Sequence, residues 1–257
     1  MEYLIIPIVA LLASALTFFS GFGLGTLLLP AFALFFPVDV AIALTAIVHF
    51  LNNAFKFVLV KKHINWKIAV QFGIPALIFA LLGAFLLDKI TNATILGEYT
   101  IQQNVFQITL MKVIVAVLLI FFALFELLPK LKNLQFPEKY LPIGGGLSGF
   151  FGGLSGHQGA LRSAFLTKVD LTKEAFIATG VLIACLIDIS RMSVYFTNIS
   201  KVKDSLQWNL LIVATLAAFI GVYFGNKLVK KITITTIQKI VALMIIIFAI
   251  ALGFGIV

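Results

Sequence analysis

The sequence has few charged residues. Of its 257 residues, 11% are Asp, Glu, Lys or Arg, whereas 61% are hydrophobic. A soluble domain has roughly a quarter charged residues, so this composition excludes an ordinary water-facing surface. The single cysteine, Cys185, lies in an apolar run, which excludes an intrachain disulfide and a thiolate metal site. The composition therefore indicates a membrane protein.

Long apolar runs take the place of the missing charges. Most approach the ~20 residues that a helix needs to cross ~30 Å of hydrocarbon. Open strands are excluded at that depth, because lipid offers no partner for backbone N–H and C=O groups. We therefore predict an all-α polytopic membrane protein in which residues 1–257 form a single transmembrane domain. With the glycine-rich segment 141–167 there are eight hydrophobic segments, the others lying around residues 4–19, 40–60, 68–87, 108–128, 175–196, 210–224 and 241–257.

The net charge of +9 arises largely from lysines that flank these runs. Such lysines are expected from membrane orientation alone, and we predict no nucleic-acid partner. Residues 1–19 contain Glu2 as their only charged side chain, and the missing basic flank argues against a removed signal peptide.

The two halves of the sequence resemble each other. Ser20-Gly21 is echoed by Ser155-Gly156. The only two tryptophans, Trp66 and Trp208, are each followed at the same distance by a Gly-x-x-Leu-x-x-Lys-Ile motif. Several matches in one order indicate a duplication. Duplicated halves are common in secondary transporters, whose binding sites form where the repeats meet.

The lysines favour a re-entrant hairpin in each half. With eight simple crossings, the connector lysines divide eight to seven between the two sides, which gives no orientation. If residues 4–36 and 141–167 enter the membrane and return, the division becomes twelve to three, as the positive-inside rule expects. Each half, 1–128 and 141–257, then has one glycine-rich hairpin and three spans. Three is odd, so we predict inverted repeats in the inner (cell) membrane with both termini outside.

The second hairpin carries the clearest candidate site. Its glycines are expected to break the helix at membrane depth near Gly156, with a short helix starting just after it. The start of that helix would point N–H groups and a positive dipole end at the gap. Arg162 adds a fixed charge that suits an anion, although it could instead extend to the cytoplasmic surface. The predicted substrate-binding residues here are Ser155, Gly156, His157, Gln158, Gly159 and Arg162.

The first hairpin and the run after it add a second group of candidates. Spacings of three and four place Thr45, His49, Asn52 and Lys56 near one helix face, with Asn53 beside them. We predict that His49 carries a proton or contacts substrate; the alternative is that it ties helices together. The candidates in this half are Ser20, Gly21, Gly23, Thr45, His49 and Asn53.

A pair of opposite charges lies in the matching run of the second half. Asp188 and Arg191 are three residues apart, so they can face each other on a helix. We predict an internal ion pair that could open and close during transport, with His49, Asp188 and Arg191 as coupling or gating residues. The sequence shows no catalytic cluster, metal-ligand spacing or nucleotide-binding loop. We predict no enzymatic activity, metal or cofactor, and an ion or substrate gradient as the driving force.

Two glycine motifs resemble the TauE/SafE family of sulfite and organosulfonate exporters over nearly the whole chain. One begins Gly21-x-Gly23-x-Gly25 and is followed by Thr45; the other includes Gly152-Gly153-Leu154-Ser155-Gly156 and is followed by Thr179. The resemblance implies export of a small anion such as sulfite or sulfoacetate. His157-Gln158 departs from the family, which commonly has a small or apolar residue and glycine there. The added donors fit an anion.

The predicted function is secondary export of a small anion bound between the two hairpins near the bilayer midplane. One alternative is a cation- or proton-linked permease in which Asp188 and His49 bind the ion. Another is an intramembrane enzyme or an assembly factor that transports nothing. The expected partners are the anionic substrate and the lipid bilayer, with a homodimer as an option.

Overall fold

The computed structural model describes residues 1–20, 23–91, 95–132, 134–198, 207–228 and 234–257. The first half contains α1 (Glu2–Ser20), α2 (Leu24–Ala33), α3 (Val38–Val60), α4 (Trp66–Thr91), β1 (Ile95–Ile101), β2 (Asn104–Thr109) and α5 (Leu110–Leu127). After the short α6 (Pro129–Lys132), the second half contains α7 (Leu141–Ser155), α8 (Gly159–Leu166), α9 (Lys173–Tyr195), α10 (Trp208–Leu228) and α11 (Ile234–Gly253).

Within the described residues, three helices are long and apolar enough to cross a membrane: Val38–His63, Trp66–Thr91 and Lys173–Tyr195. These correspond to three of the six spans predicted from sequence. The shorter apolar helical segments are Glu2–Leu16, Leu24–Ala33, Leu110–Phe125, Trp208–Phe224 and Val241–Gly253. Many large apolar side chains on these helices are exposed, as expected for surfaces that face lipid rather than water. The chain is a helical membrane protein.

A small β-hairpin between α4 and α5 was not expected from sequence. Strands β1 and β2 pair antiparallel, and Gln102 and Gln103 form the turn with φ of 46° and 71°. Two positive φ values in a two-residue hairpin loop normally call for Asn or Gly. This turn therefore lacks the usual sequence signal. The hairpin is fixed to the end of the chain by a hydrogen bond from the Tyr99 hydroxyl to the Phe254 carbonyl, at 2.7 Å.

The helix break in the second hairpin lies where it was predicted. α7 ends at Ser155, Gly156 has φ of +83°, and α8 starts at Gly159. That φ is in the left-handed region, where a side chain is strained and glycine is not. The glycines before it do not break the helix, however, because α7 is continuous from Leu141 to Ser155. The helix is therefore interrupted only at the end of the glycine-rich stretch.

Those glycines instead allow α7 to pack closely against α4. Three glycines one turn apart each lie against a carbonyl oxygen of α4; they are Gly145, Gly149 and Gly153. A Cβ added at Gly149 would stand 2.1 Å from the Ala76 oxygen. The backbones of α4 and α7 could therefore not pack this closely if residue 149 had a side chain. Small residues at such spacing are the usual basis of close helix contacts in membranes.

The helices pack in matching pairs across the two halves. α4 packs on α7 and α10 packs on α1. α3 contacts α9, and α5 contacts α11. α2 lies on α3, as α8 lies on α9. The central contact between α3 and α9 brings the polar residues of both halves together inside the protein.

Candidate functional site

The two helix breaks meet next to α3. A Cβ added at Gly25, in the first turn of α2, would stand 3.6 Å from the Gly156 carbonyl oxygen, 3.6 Å from Thr45 and 3.8 Å from His49. The start of α2 therefore lies against the end of α7. Of the other first-hairpin candidates, Gly23 precedes α2 and Ser20 ends α1. Gly21 lies outside the described residues.

Asp188 is the centre of the polar cluster at this junction. Its side chain is 0% exposed, and its Oδ1 atom accepts from Arg191 Nε at 3.0 Å and lies 2.8 Å from Arg191 Nη2. Its Oδ2 atom lies 2.6 Å from His49 Nδ1. The predicted pairing of Asp188 with Arg191 is therefore present, and His49 joins it from the other half of the chain.

His49 is held by two partners. Its Nδ1 atom faces Asp188, so the Nδ1–H tautomer donates to the carboxylate. The Asn53 amide nitrogen lies 3.1 Å from Nδ1 and 3.3 Å from Nε2. Because Nδ1 is already a donor, the Asn53 amide can donate only to Nε2. The neutral ring is thereby fixed in one orientation.

Gln158 links the second hairpin to the same carboxylate. Its amide nitrogen donates to Asp188 Oδ1 at 3.4 Å, and its carbonyl oxygen accepts from Arg162 Nη1 at 3.0 Å. Arg162 packs beside Gly180 on α9, where an added Cβ would stand 3.4 Å from Arg162 Nε. A continuous chain of side-chain contacts therefore runs from Arg162 through Gln158 and Asp188 to His49.

His157 has different neighbours from Gln158. Its Nδ1 atom lies 3.0 Å from the Ser155 hydroxyl, and its ring stacks on Phe122 of α5 with centroids 5.3 Å apart. Its Nε2 atom has no hydrogen-bond partner among the described residues. The two adjacent candidates thus face different parts of the protein, and only Gln158 contacts the Asp188 cluster directly.

The polar residues of α3 have different roles, since some contact neighbouring helices and others lie near the Asp188 cluster. Asn52 accepts a hydrogen bond from Ser14 of α1 at 3.0 Å, which ties two helices together. Thr45 is 2% exposed, and its hydroxyl has no partner among the described residues. Lys56 is 6% exposed, two turns beyond His49. Thr45, His49 and Lys56 on the same face are also buried in the interior.

The charges inside the protein are mostly positive. Among the described residues, the charged side chains that are buried are Lys56, Asp188 and Arg191. Arg162 is half-buried beside them. Burying charge is costly in a membrane protein and usually marks a binding site or an ion path. Within the part of the chain described, no group of three or more His, Cys, Asp or Glu side chains is placed to hold a metal ion.

Sequence reasoning missed the contact between His49 and Asp188. The two residues are 139 positions apart, and the contact exists only because α3 packs on α9. It also ranked Arg162 above Arg191 as the charge that defines the site. Arg191 is 1% exposed, and a Cβ at Gly156 would stand 2.8 Å from its Nη1 atom. The proximity of Arg191 to the helix break has no signature in the sequence.

Comparison with known proteins agrees with the resemblance of the glycine motifs. The family described as "Sulfite exporter TauE/SafE" matches residues 6–252. No curated protein and no solved structure gives a significant match. The matched region contains both helix breaks and the whole Asp188 cluster. The chain therefore belongs to the TauE/SafE sulfite exporter family, a family of membrane transporters and not of enzymes.

Proposed function

We propose that this protein exports a small anion, sulfite or an organosulfonate such as sulfoacetate, which binds between the two hairpins near the bilayer midplane. The observation that carries the proposal is the cluster around Asp188. Where two broken helices meet, Arg191 contacts a buried carboxylate directly and Arg162 is linked to it through Gln158, while the buried Lys56 lies two turns from His49 on α3. Helix starts and guanidinium groups are the usual ligands of oxyanions in proteins. In this proposal Thr45 and Gln158 supply further donors, and His49 contacts Asp188.

A cation permease is the weaker alternative. It would bind its ion at Asp188, the one buried carboxylate of the described residues. Both oxygens of that carboxylate already face protein donors, with Arg191 and Gln158 on Oδ1 and His49 on Oδ2. A cation would also have to enter against the surrounding positive charge, which opposes its binding. These contacts favour an anion.

We further propose that the halves are inverted repeats with eight membrane segments. Each half has a helix pair separated by a break, followed by three further long helices. Exchanging the halves turns α4 on α7 into α10 on α1 and α2 on α3 into α8 on α9, while the α3–α9 and α5–α11 contacts map onto themselves. Contacts of this kind support a two-fold relation, and a site at its axis is typical of such transporters. A homodimer stays a prediction.

Transport by purified protein in liposomes tests the proposal. Protein-mediated flux should be seen with sulfite and sulfoacetate, and compared with sulfate, taurine and a cation such as choline. We expect flux of the first two anions and none of the cation. Flux of the cation alone would contradict the proposal and support a cation permease.

A further inference from the structure

We infer that Asp188 is the resident counter-ion of Arg191, and that a proton taken up by the His49–Asp188 pair releases Arg191 to bind the transported anion. This inference rests on the proposed anion transport. It adds that the proton is the coupling ion and that Arg191 is the central ligand of the anion. Four observations carry it: the contacts of Arg191, the burial of Asp188, the short His49 contact and the position of the helix breaks.

Arg191 has one side of its guanidinium occupied and one side open. Nε and Nη2 contact Asp188 Oδ1. Nη2 lies 2.8 Å from that oxygen but, like Nη1, makes no hydrogen bond of suitable geometry among the described residues; Nη1 lies beside Gly156. Because the group is 1% exposed, water in bulk does not satisfy it. A buried donor without a partner is costly to keep, which indicates a place where a ligand oxygen binds.

The surroundings of Nη1 suit an oxyanion. Gly156 faces Gly25 in the first turn of α2, so the amino end of a ten-residue helix lies close by. Thr45, next to Gly25, contributes a second buried polar group, a hydroxyl, that has no partner among the described residues. An arginine N–H, a hydroxyl and a helix start are the groups that recognise sulfonate or sulfite oxygens.

Asp188 opposes the binding of that anion. It is fully buried and occupies the same guanidinium, so an incoming anion meets a carboxylate at close range. Like charges in a low-dielectric interior repel strongly. Adding one proton to the His49–Asp188 pair, at either the ring or the carboxylate, removes one unit of negative charge from the site. The proton comes from the aqueous phase that supplies the anion, and both leave on the other side.

Few other ionisable groups surround the pair. α3 contributes Lys56, α9 contributes Cys185, Arg191 and Tyr195, and the second hairpin contributes His157 and Arg162. α2 and α7, which also meet at this junction, contain no ionisable side chain. Those of α4 are restricted to its two ends, at Lys67, Asp88 and Lys89. His157 contacts Ser155 and Phe122 rather than Asp188. Because His49 and Arg191 both contact Asp188, the His49–Asp188 pair is the place where a proton changes the charge beside Arg191.

The test is the number of protons taken up when purified protein binds sulfoacetate. Titration calorimetry in two buffers of different ionisation enthalpy gives that number directly. Sulfoacetate keeps its charge between about pH 5 and 8, the range in which histidine ordinarily titrates, whereas sulfite does not. For wild type we expect uptake approaching one proton per anion. The affinity should then fall as the pH rises, by up to about tenfold per pH unit.

Two variants separate the roles of the pair. Asp188→Asn removes the negative charge beside Arg191. At about pH 8, this variant should therefore bind sulfoacetate at least tenfold more tightly than wild type, with no proton uptake. His49→Gln keeps an amide donor toward Asp188 but cannot titrate, and should reduce the proton uptake to less than half. Arg191→Gln should lose at least tenfold in affinity, because it removes the ligand itself.

Arg162→Gln is the matched control. It also removes a guanidinium from the cluster, but one that contacts Gln158 rather than Asp188. It should weaken binding while leaving the number of protons per bound anion unchanged. The inference would be overturned if wild type bound sulfoacetate without taking up a proton. It would also be overturned if a folded Asp188→Asn variant bound sulfoacetate no more tightly than wild type. If Asp188→Asn does not fold, the wild-type proton count decides. No binding of sulfite or sulfoacetate at any pH would instead refute the proposed function.

Discussion

The guanidinium groups of Arg162 and Arg191 have different surroundings. Arg191 is enclosed and bound to a carboxylate, whereas Arg162 is half-buried and bound to the neutral amide of Gln158. Since Gln158 carries no charge, the charge of Arg162 is less compensated by its nearest neighbour. Arg162 is therefore the residue at which charge and hydrogen-bond geometry can best be tested separately.

We expect sulfoacetate affinity to decrease in the order wild type, Arg162→Lys, Arg162→Gln. Lysine keeps the charge but loses the two parallel N–H groups that match an oxyanion, and glutamine loses the charge as well. Truncating one partner of a buried charge contact commonly costs ~2–5 kcal/mol, so the glutamine variant should bind at least tenfold more weakly. Binding is measured together with thermal stability in detergent. If a folded Arg162→Gln variant bound sulfoacetate as wild type does, Arg162 would not be part of the binding site.

Thr45 and Thr179 occupy corresponding positions in the two halves of the sequence. Both are buried, at 2% and 0% exposure, and they follow the two helix breaks in the same order. Thr179 accepts a hydrogen bond from the Asn65 backbone N–H at 3.0 Å, whereas the Thr45 hydroxyl has no partner among the described residues. A structural threonine and a ligand-binding threonine should respond differently to replacement by valine.

Thr179→Val should lower the free energy of unfolding by about 1–3 kcal/mol, because the Asn65 N–H loses its acceptor. Thr45→Val should leave stability nearly unchanged and weaken sulfoacetate binding. Chemical unfolding and calorimetry on the two purified variants provide both readouts. A Thr45→Val variant that is destabilised but binds normally would mean that this hydroxyl serves the fold and not the substrate.

At the level of helices, the glycines of α7 and of the position that follows it have different roles. Gly156 has a backbone angle that favours glycine, whereas Gly149 is needed for its lack of a side chain. Gly146 shows a third situation on the same helix. A Cβ there would stand 3.4 Å from the flexible Phe79 side chain, a contact that a small adjustment can accommodate.

Gly149→Ala should therefore destabilise the protein by about 1–3 kcal/mol through overpacking against α4. Gly146→Ala should be neutral or slightly stabilising, because alanine is the better helix former. Thermal unfolding of both variants in the same detergent gives the comparison. Equal stability of the two variants would show that the α4–α7 contact is looser than the structure has it.

The same helices show what sequence can and cannot predict. Apolar length located α3, α4 and α9, since the requirement to span a membrane acts on each helix alone. Spacing also predicted the Asp188–Arg191 pair, which lies within one helix. The contact of His49 with Asp188 depends on how α3 and α9 pack, and nothing in either segment specifies it. Likewise, the glycine-rich sequence predicted the break near Gly156 but not the packing of the preceding glycines against α4.

For the whole molecule, the main open prediction is its orientation in the membrane. The lysine distribution places the ends of α3 and α8 on the cytoplasmic side and both termini outside. The matching contacts between halves are those expected if the second half is the first half inverted. Inversion follows only if each hairpin returns to its own side. Eight simple crossings would instead place the ends of α3 and α8 on opposite sides.

Single-cysteine labelling distinguishes these arrangements. The background is Cys185→Ala, which removes the only native thiol. Cysteines are then placed at Lys62, Lys168 and Gln102, all of which are exposed. In intact cells, an impermeant maleimide should label the Gln102→Cys protein and leave Lys62→Cys and Lys168→Cys unlabelled until the cells are opened. Labelling of Lys62→Cys and Lys168→Cys from opposite sides would contradict the hairpin arrangement, because the 141–167 segment would then cross the membrane completely. The two halves would then not be related by a two-fold axis in the membrane plane.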